Sequence, residues 1–157
     1  MEAILQRLRE EARTPSPKDR KTGLPKTYVA GLSPSEKSKQ VQAIEKSMKD
    51  YEKTGNVFAR PRLGAESKRS PFVKRFQEVY GFPITDLSKV KREFPSTDID
   101  TILAKGRAAY ASGSRPGQTP SSWAYARLAS VLTGGKALAV DKDEVGKLDL
   151  KKILTTQ

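Results

Sequence analysis

The chain has 157 residues, of which 36% are hydrophobic and 31% charged, so it can bury only a modest core. Cysteine and histidine are both absent, which excludes disulfides, Ser-His-Asp and Cys-His nucleophilic sites and the usual zinc ligand sets. The net charge of +12 is typical of a protein with an anionic partner, and no apolar run approaches the length that spans a bilayer.

The N-terminal part is predicted to be a short helix followed by an arm. Residues 2–13 place Ile4, Leu5 and Leu8 on one helical face, which is too thin a stripe to be stable alone. Residues 14–27 hold three prolines and five charged residues, a composition typical of an extended segment. We expect this part of the chain to need a partner to become ordered.

A Ser-Pro pair predicts the start of the first long helix. Ser33 and Pro34 followed by Glu36 form a capping box, and the helix is expected to run to about Lys53 and to stop at Gly55. Lysine and glutamate fill most of its surface. We interpret these faces as solvated, with a binding surface as the alternative.

A second Ser-Pro pair, at Ser70 and Pro71, opens the helix with the strongest apolar pattern. Its apolar residues recur at the spacing of one helical face, and Gly81 closes it. An aromatic stripe at this spacing predicts core packing. The stripe consists of Phe72, Val73, Phe76, Val79 and Tyr80.

Further caps predict short helices in the second half of the chain. Asp86 is placed to cap a helix that ends at about Phe94, and Ser96 or Thr97 is placed to start another that ends near Gly113. Each of these helices is followed by a proline or a glycine that stops it.

A Thr-Pro pair at Thr119 opens a further helix, which Gly134 ends. Short strands near residues 28–32 and 136–140 are an alternative, and the tail could be a strand, a helix or an arm. The sequence thus predicts an all-α fold, a small single domain of about five or six short helices with extended arms at both ends. Its parts are residues 1–27 (helix and basic arm), 28–146 (helical core domain) and 147–157 (tail).

Basic residues are concentrated in two windows. Residues 54–75 carry six Lys or Arg against Glu66 alone, and residues 101–140 carry five with no acid, so each window has a net charge of +5. Such concentration predicts a surface that binds an anion or a partner. The candidate residues are Arg60, Arg62, Lys68, Arg69, Lys105, Arg107, Arg115, Gly117, Trp123 and Arg127.

The loop at residues 113–120 can be interpreted in two ways. Gly113 and Gly117 permit unusual backbone conformations, and the loop leads into a helix N-terminus that attracts anions beside Arg107 and Arg115. The alternative is a tight corner between two helices. The loop matches neither a Walker motif nor GxGxxG.

Basic and aromatic residues alternate around the single tryptophan. Trp123 and Arg127 lie four residues apart, on one helical face, where they could stack on a base or form the centre of a protein interface. Core packing of the indole is the alternative that we favour.

No catalytic or metal site is predicted. The acid pairs Asp98/Asp100 and Asp141/Asp143 lie at expected helix starts, where acids stabilise the helix dipole. Carboxylates elsewhere are scattered. We therefore expect no enzyme, no metal and no cofactor, and a metal-dependent nuclease is the least favoured class.

The run KGRAAYASGSRPGQTPSSWAYARLASVLTGG, with KALAVDKD after it, resembles a family of small basic proteins of unknown function from large double-stranded DNA viruses of algae and protists. KTYVAGLS and SKRSPFVKRFQEVYG resemble the same family in the same order, so the resemblance covers roughly residues 20–146. The family has no assigned chemistry, so the resemblance implies a viral context and no catalytic residue.

This resemblance, with the modest core and the expected arms, predicts a minor capsid protein that cements capsomers from the inner face of the shell. Its partners would be the major capsid protein and other minor capsid proteins, with DNA or an anionic inner layer beneath. It would be made in the host cytoplasm and located in the virion. The alternative is a basic protein that binds viral nucleic acid.

Overall fold

The structure, a computed structural model, describes residues 6, 17–20, 22–60, 70–114 and 116–156. Over these residues the chain forms seven α-helices and two 3₁₀ turns, without a β-strand, and the prediction of an all-α fold is confirmed. The predicted helix at residues 2–13 lies outside the described residues, apart from Gln6. The helices are α1 (Pro34–Thr54), α2 (Pro71–Tyr80), α3 (Leu87–Glu93), α4 (Ile99–Ala111), α5 (Pro120–Leu132), α6 (Lys136–Asp141) and α7 (Lys147–Thr156).

The predicted start and stop of α1 are both confirmed. The Ser33 hydroxyl accepts a hydrogen bond from the Glu36 N–H, and the Glu36 carboxylate accepts one from the Ser33 N–H, at 3.3 and 2.9 Å. The bond from the Ser33 N–H lowers the pKa of Glu36 below its ordinary value, because it stabilises the charged carboxylate. Gly55 ends the helix with a φ of 73°, a left-handed conformation that glycine adopts without strain.

The cap of helix α4 lies one or two residues later than predicted. Asp98 rather than Ser96 or Thr97 provides the cap, because its carboxylate accepts a hydrogen bond from the Thr101 N–H at 3.1 Å. The buried carboxylate of Asp149 instead takes the Thr97 hydroxyl and the Ser96 N–H as donors. A buried carboxylate needs hydrogen-bond donors. Because Ser96 and Thr97 donate to the distant Asp149, the helix begins after them.

The chain divides into two compact units that alternate along the sequence, a division that the sequence did not indicate. Unit 1 comprises Met1–Pro15, Arg69–Ala104 and Ala124–Gln157, and unit 2 comprises Ser16–Lys68 and Lys105–Trp123. Because the division falls within α4 and within α5, each of these helices contributes residues to both units.

Unit 1 contains the main hydrophobic core. Phe76 on α2 and Phe94 after α3 are fully buried, and the ring of Tyr80 lies about 5 Å from both, at 4.8 and 5.2 Å between centroids. The Tyr80 hydroxyl donates a hydrogen bond to the Leu132 carbonyl at 2.8 Å, so its polar end is satisfied at the edge of the core. The predicted core packing is therefore confirmed for Val73, Phe76 and Tyr80, whereas Phe72, the first residue of the stripe, is 37% exposed.

The C-terminal tail is the helix α7 and belongs to this core. Leu150 is 7% exposed and Ile153 is fully buried, both within the apolar cluster of unit 1. The sequence left strand, helix and arm open for this segment. Its apolar positions three residues apart are buried together, and this burial stabilises a short helix that propensity alone would not.

Two further segments differ from the alternatives that the sequence allowed. Lys26–Val29 is a 3₁₀ turn and residues 136–141 form α6, so neither is a strand. The described part of the basic arm belongs to unit 2, where Asp19 forms an ion pair with Lys37 at 2.9 Å. This pairing and the hydrogen bonds that Asp19 accepts from Thr22 lower the pKa of Asp19 to about 2.

Replacing Gly113 with alanine is expected to destabilise unit 2 by about 3 kcal/mol, because its φ of 143° disfavours a side chain and a Cβ would overlap the ring of Tyr28. Gly31 is the matched control: its φ is 77° and a Cβ there has no neighbour within 4 Å, so alanine should cost about 1 kcal/mol. Urea unfolding followed by the fluorescence of Trp123 measures both. Equal costs for the two variants would contradict the predicted overlap.

Candidate anion- and partner-binding surface

Positive charge is distributed unequally between the two units. Among the described residues, unit 2 carries 11 Lys and Arg against 5 Asp and Glu, a net charge of +6. Unit 1 carries 11 Lys and Arg against 9 Asp and Glu, a net charge of +2. A polyanion would therefore be attracted mainly to unit 2.

The ten predicted site residues lie in different environments. Lys105 and Arg107 are exposed on α4, within unit 2. Of the other eight, four lie outside the described residues and four are partly or wholly buried. The first four are Arg62, Lys68, Arg69 and Arg115, and the second four are Arg60, Gly117, Trp123 and Arg127.

Arg60 points into unit 2 rather than into solvent. Its guanidinium lies 3.8 Å from the centroid of the Tyr110 ring. It donates hydrogen bonds to the Tyr110 carbonyl at 2.7 Å, to the Ser47 hydroxyl at 3.0 Å and to the Ser114 hydroxyl at 2.6 Å. Burial lowers the pKa of this guanidinium below its ordinary value, since desolvation disfavours the charge.

No carboxylate among the described residues lies within ion-pairing distance of Arg60. Neutral oxygens and the face of a tyrosine ring compensate for its desolvation instead, and the Nε–H is buried without a hydrogen-bond partner among these residues. Arg60 therefore joins α1, α4 and the loop after α4 in one polar cluster, and the side chain serves to position these elements.

Tyr110 is the centre of this cluster. Its side chain is fully buried, and its hydroxyl accepts a hydrogen bond from the Arg60 N–H at 2.9 Å and donates one to the Gln118 carbonyl at 3.1 Å. Tyr110 thus fixes Arg60, within the first basic window, and the loop of the second. A buried hydroxyl that both donates and accepts a hydrogen bond indicates that the segment ending at Arg60 has a defined position.

The contacts of the loop after α4 fit the interpretation as a corner between two helices. Gln40 on α1 donates hydrogen bonds to the Tyr28 carbonyl at 3.1 Å and to the Ser114 carbonyl at 3.4 Å. Gly117 is buried with a φ of 81°. Arg115, on which the interpretation as an anion site depends, lies outside the described residues.

Trp123 packs within unit 2. Its ring meets that of Tyr28 edge to face at 6.5 Å between centroids, and its side chain is half-buried. This geometry is typical of an aromatic pair that closes a small core, which is the alternative favoured from the sequence.

Arg127, in unit 1, is paired with an acid. Its Nε and Nη2 donate to the two carboxylate oxygens of Asp141, each at 2.7 Å, and Asp141 is fully buried. This carboxylate raises the pKa of Arg127 above its ordinary value, because it stabilises the charged guanidinium. The pair connects α5 to the end of α6 and gives Arg127 a structural role.

The residues that hold Arg60 could not be identified from the sequence. Ser47 and Ser114 are separated from it by 13 and 54 positions, and no local pattern marks a serine that will accept a hydrogen bond from an arginine.

Across the described residues there is no group of His, Cys, Asp or Glu that could hold a metal ion. In the same part of the chain, no helix has the length and apolar character to cross a bilayer.

A family model described as a family of unknown function (DUF5824) matches residues 25–149. No curated protein and no solved structure shows significant similarity to the chain.

Proposed function

The chain belongs to this family of unknown function, DUF5824, and we propose that it is a non-enzymatic binding protein whose unit 2 holds nucleic acid in a large DNA virus. The viral context rests on the sequence resemblance over residues 20–146. The type of partner rests on the charge of the described surface.

The unequal charge of the two units is the observation that supports this proposal. A net charge of +6 against +2 means that unit 2 presents most of the excess cations, while the acids of unit 1 nearly neutralise its own. A nucleic acid is negative along its whole length, so it gains most from a surface of one sign. Backbone contacts of this kind position a protein without reading sequence.

This proposal places nucleic acid ahead of the capsid surface that the resemblance favoured. The centre of a protein interface is depleted in charged residues, so a cement should depend on buried apolar contacts more than on net charge. The predicted C-terminal arm is also used within the core, where α7 buries Leu150 and Ile153, so it has less chain left to thread between neighbours.

The proposal predicts salt-dependent binding to duplex DNA of random sequence, carried by unit 2. Removing two exposed cations of this unit, with Lys26→Ala and Arg107→Ala together, should reduce the slope of log affinity against log salt by about 2. Fluorescence anisotropy between about 50 and 200 mM salt measures the slope.

The matched control removes two exposed lysines of unit 1, Lys147 and Lys151, and therefore changes the net charge by the same amount. We expect this variant to keep the slope of the unaltered protein. If both variants reduce the slope equally, the DNA responds to the net charge of the whole protein and not to unit 2 in particular. An absence of binding at the lowest salt would reject the nucleic-acid proposal altogether.

A minor capsid role in the virion is the second candidate, and exposed apolar residues of unit 1 favour it. Leu148 is 80% exposed and Val140 is 62% exposed, in the unit whose charge is nearly balanced. Apolar side chains on a surface of low net charge suit contacts with other capsid proteins. This candidate takes first place if the DNA titration shows no binding.

A further inference from the structure

Four lysines form a row along one face of α1. Positions 39, 42, 46, 49 and 53 recur at alternating spacings of three and four residues, which places them on one stripe of an α-helix. All five side chains are exposed, and Gln42 is the one member without a charge. The stripe extends over about 21 Å at 1.5 Å per residue. The lysine row consists of Lys39, Lys46, Lys49 and Lys53.

Acidic residues border the lysine row but do not interrupt it. Glu45 and Glu52 lie four residues before and three after Lys49, on the side away from Lys46. Asp50 borders the row on the other side, at a half-buried position. An anionic chain can therefore follow the row over its length without passing over a carboxylate.

A pocket of about 220 Å³ opens beside the lysine row. It lies between α1 and the segment that leads to Arg60, entirely within unit 2. Lys46 belongs to both the row and the pocket. Phe58, which lines the pocket, is 62% exposed although it is a large apolar side chain. The other lining residues are Ala43, Ser47, Asp50, Ala59 and Arg60.

The chain is anchored two residues after Phe58. There, the Arg60 N–H donates to the buried Tyr110 hydroxyl, and the Arg60 guanidinium is anchored on three oxygens. The exposed ring is thus presented by a held segment. An anchored backbone reduces the conformational entropy that is lost when a planar group stacks on the ring.

From this geometry we propose that unit 2 binds single-stranded nucleic acid, with phosphates along the lysine row and one base in the pocket, stacked on Phe58. The inference rests on the proposed function and goes beyond it by naming the strand state and the residues. A row of cations beside an aromatic platform is the combination that single-strand binding uses.

Asp50 supports a base rather than a phosphate as the group in the pocket. Its carboxylate would repel a phosphate, whereas it can accept a hydrogen bond from the exocyclic amino group of a base. A base in an intact duplex is stacked and paired, so its face cannot reach Phe58. The pocket should therefore favour single strands over duplexes of equal length.

The first test is Phe58→Ala, with affinities for a single-stranded and a duplex DNA of equal length measured by anisotropy. Single-strand affinity should fall about tenfold, while duplex affinity stays within about twofold, because only the single strand uses the ring. Phe58→Tyr keeps an aromatic face and should retain the single-strand affinity. Leu148→Ala removes an apolar side chain of unit 1 that is 80% exposed, against 62% for Phe58, and should change neither affinity.

The second test replaces Lys46, Lys49 and Lys53 together by alanine. With single-stranded DNA, the slope of log affinity against log salt should fall by about 2. The matched control replaces Lys136, Lys147 and Lys151, three exposed lysines of unit 1, and should leave the slope unchanged. The thermal unfolding of each variant shows whether it remains folded.

The outcomes separate this inference from the proposed function. If the protein binds both DNAs equally and Phe58→Ala changes neither affinity, the pocket inference is wrong while polyanion binding stands. If neither DNA binds at low salt but an acidic peptide does, both proposals are wrong. If both triple variants, that of unit 1 and that of α1, reduce the slope of log affinity against log salt, the lysine row is not the specific site of phosphate contact.

Discussion

Asp141→Ala is expected to lower the free energy of unfolding by about 3 to 5 kcal/mol, among the largest effects of any single change in this chain. Asp141 is fully buried, and both its oxygens accept hydrogen bonds of 2.7 Å from Arg127. Without the carboxylate, the half-buried guanidinium keeps its desolvation cost and loses its anion. At 157 residues this should lower Tm by roughly 10 °C.

A double variant distinguishes the cost of an orphaned charge from the net value of the pair. Arg127→Met with Asp141→Leu replaces both groups by apolar side chains of similar size, and should recover much of the loss. Urea unfolding monitored by circular dichroism measures the single and double variants. If the double variant is as unstable as Asp141→Ala, the buried charge is not the cause.

An exposed ion pair of the same unit is the matched control. The side chains of Lys91 and Asp100 are 50% and 76% exposed, so water screens their attraction. Asp100→Ala should therefore cost less than about 1 kcal/mol. Similar costs for Asp100→Ala and Asp141→Ala would contradict the importance given to burial.

Arg60→Ala is expected to destabilise unit 2 by about 3 kcal/mol. The change removes three hydrogen bonds from a charged donor and the contact with the Tyr110 ring, and it leaves the Tyr110 carbonyl without this donor. Because the segment before Arg60 would lose its anchor, Phe58 should also become less ordered. Hydrogen exchange of α1 and the fluorescence of Trp123 report on the loss.

Arg60→Lys tests whether charge alone is sufficient. An ammonium is a point charge, whereas the planar guanidinium reaches oxygens on Ser47, Tyr110 and Ser114 from two of its nitrogens. We expect lysine to recover less than half of the lost stability. Full recovery would show that the polar cluster needs only a cation at this position.

Local chemistry explains why much of the helical fold could be predicted. The caps at Ser33, Ser70 and Asp86 accept hydrogen bonds from backbone N–H groups two or three residues away, and Gly55 and Gly81 end their helices in left-handed conformations. Such contacts are complete within one turn of chain. They can therefore be recognised from residues that are neighbours in the sequence.

The candidate site was predicted less well, because burial depends on distant partners. Lys105 and Arg107 are exposed, as a binding surface requires. Arg60 and Arg127 lie in the same basic windows of the sequence, but their side chains pack against Tyr110 and Asp141. A basic window in the sequence counts charges. It does not show which guanidinium groups face solvent.

The spacing of the lysine row on α1 is visible in the sequence, but the sequence does not show whether this face binds a partner. A solvated helix face and a binding face have the same pattern of lysines. What distinguishes them is the pocket beside Lys46 and the exposed ring of Phe58, which lies two residues before the anchored Arg60. The pocket is formed by α1 together with the segment Phe58 to Arg60 that follows it, so it exists only in the folded chain.

The sequence by itself determined the helical class, the capped helix ends and the excess of positive charge, because each depends on residue type or on contacts within a few positions. Only the tertiary structure decided which residues share a unit, where α4 begins and whether the tail is a core helix. Those outcomes depend on buried partners such as Asp149, which is about 50 positions from Ser96 and Thr97. Burial makes a polar group require a partner, and the chain supplies that partner from wherever folding brings it near.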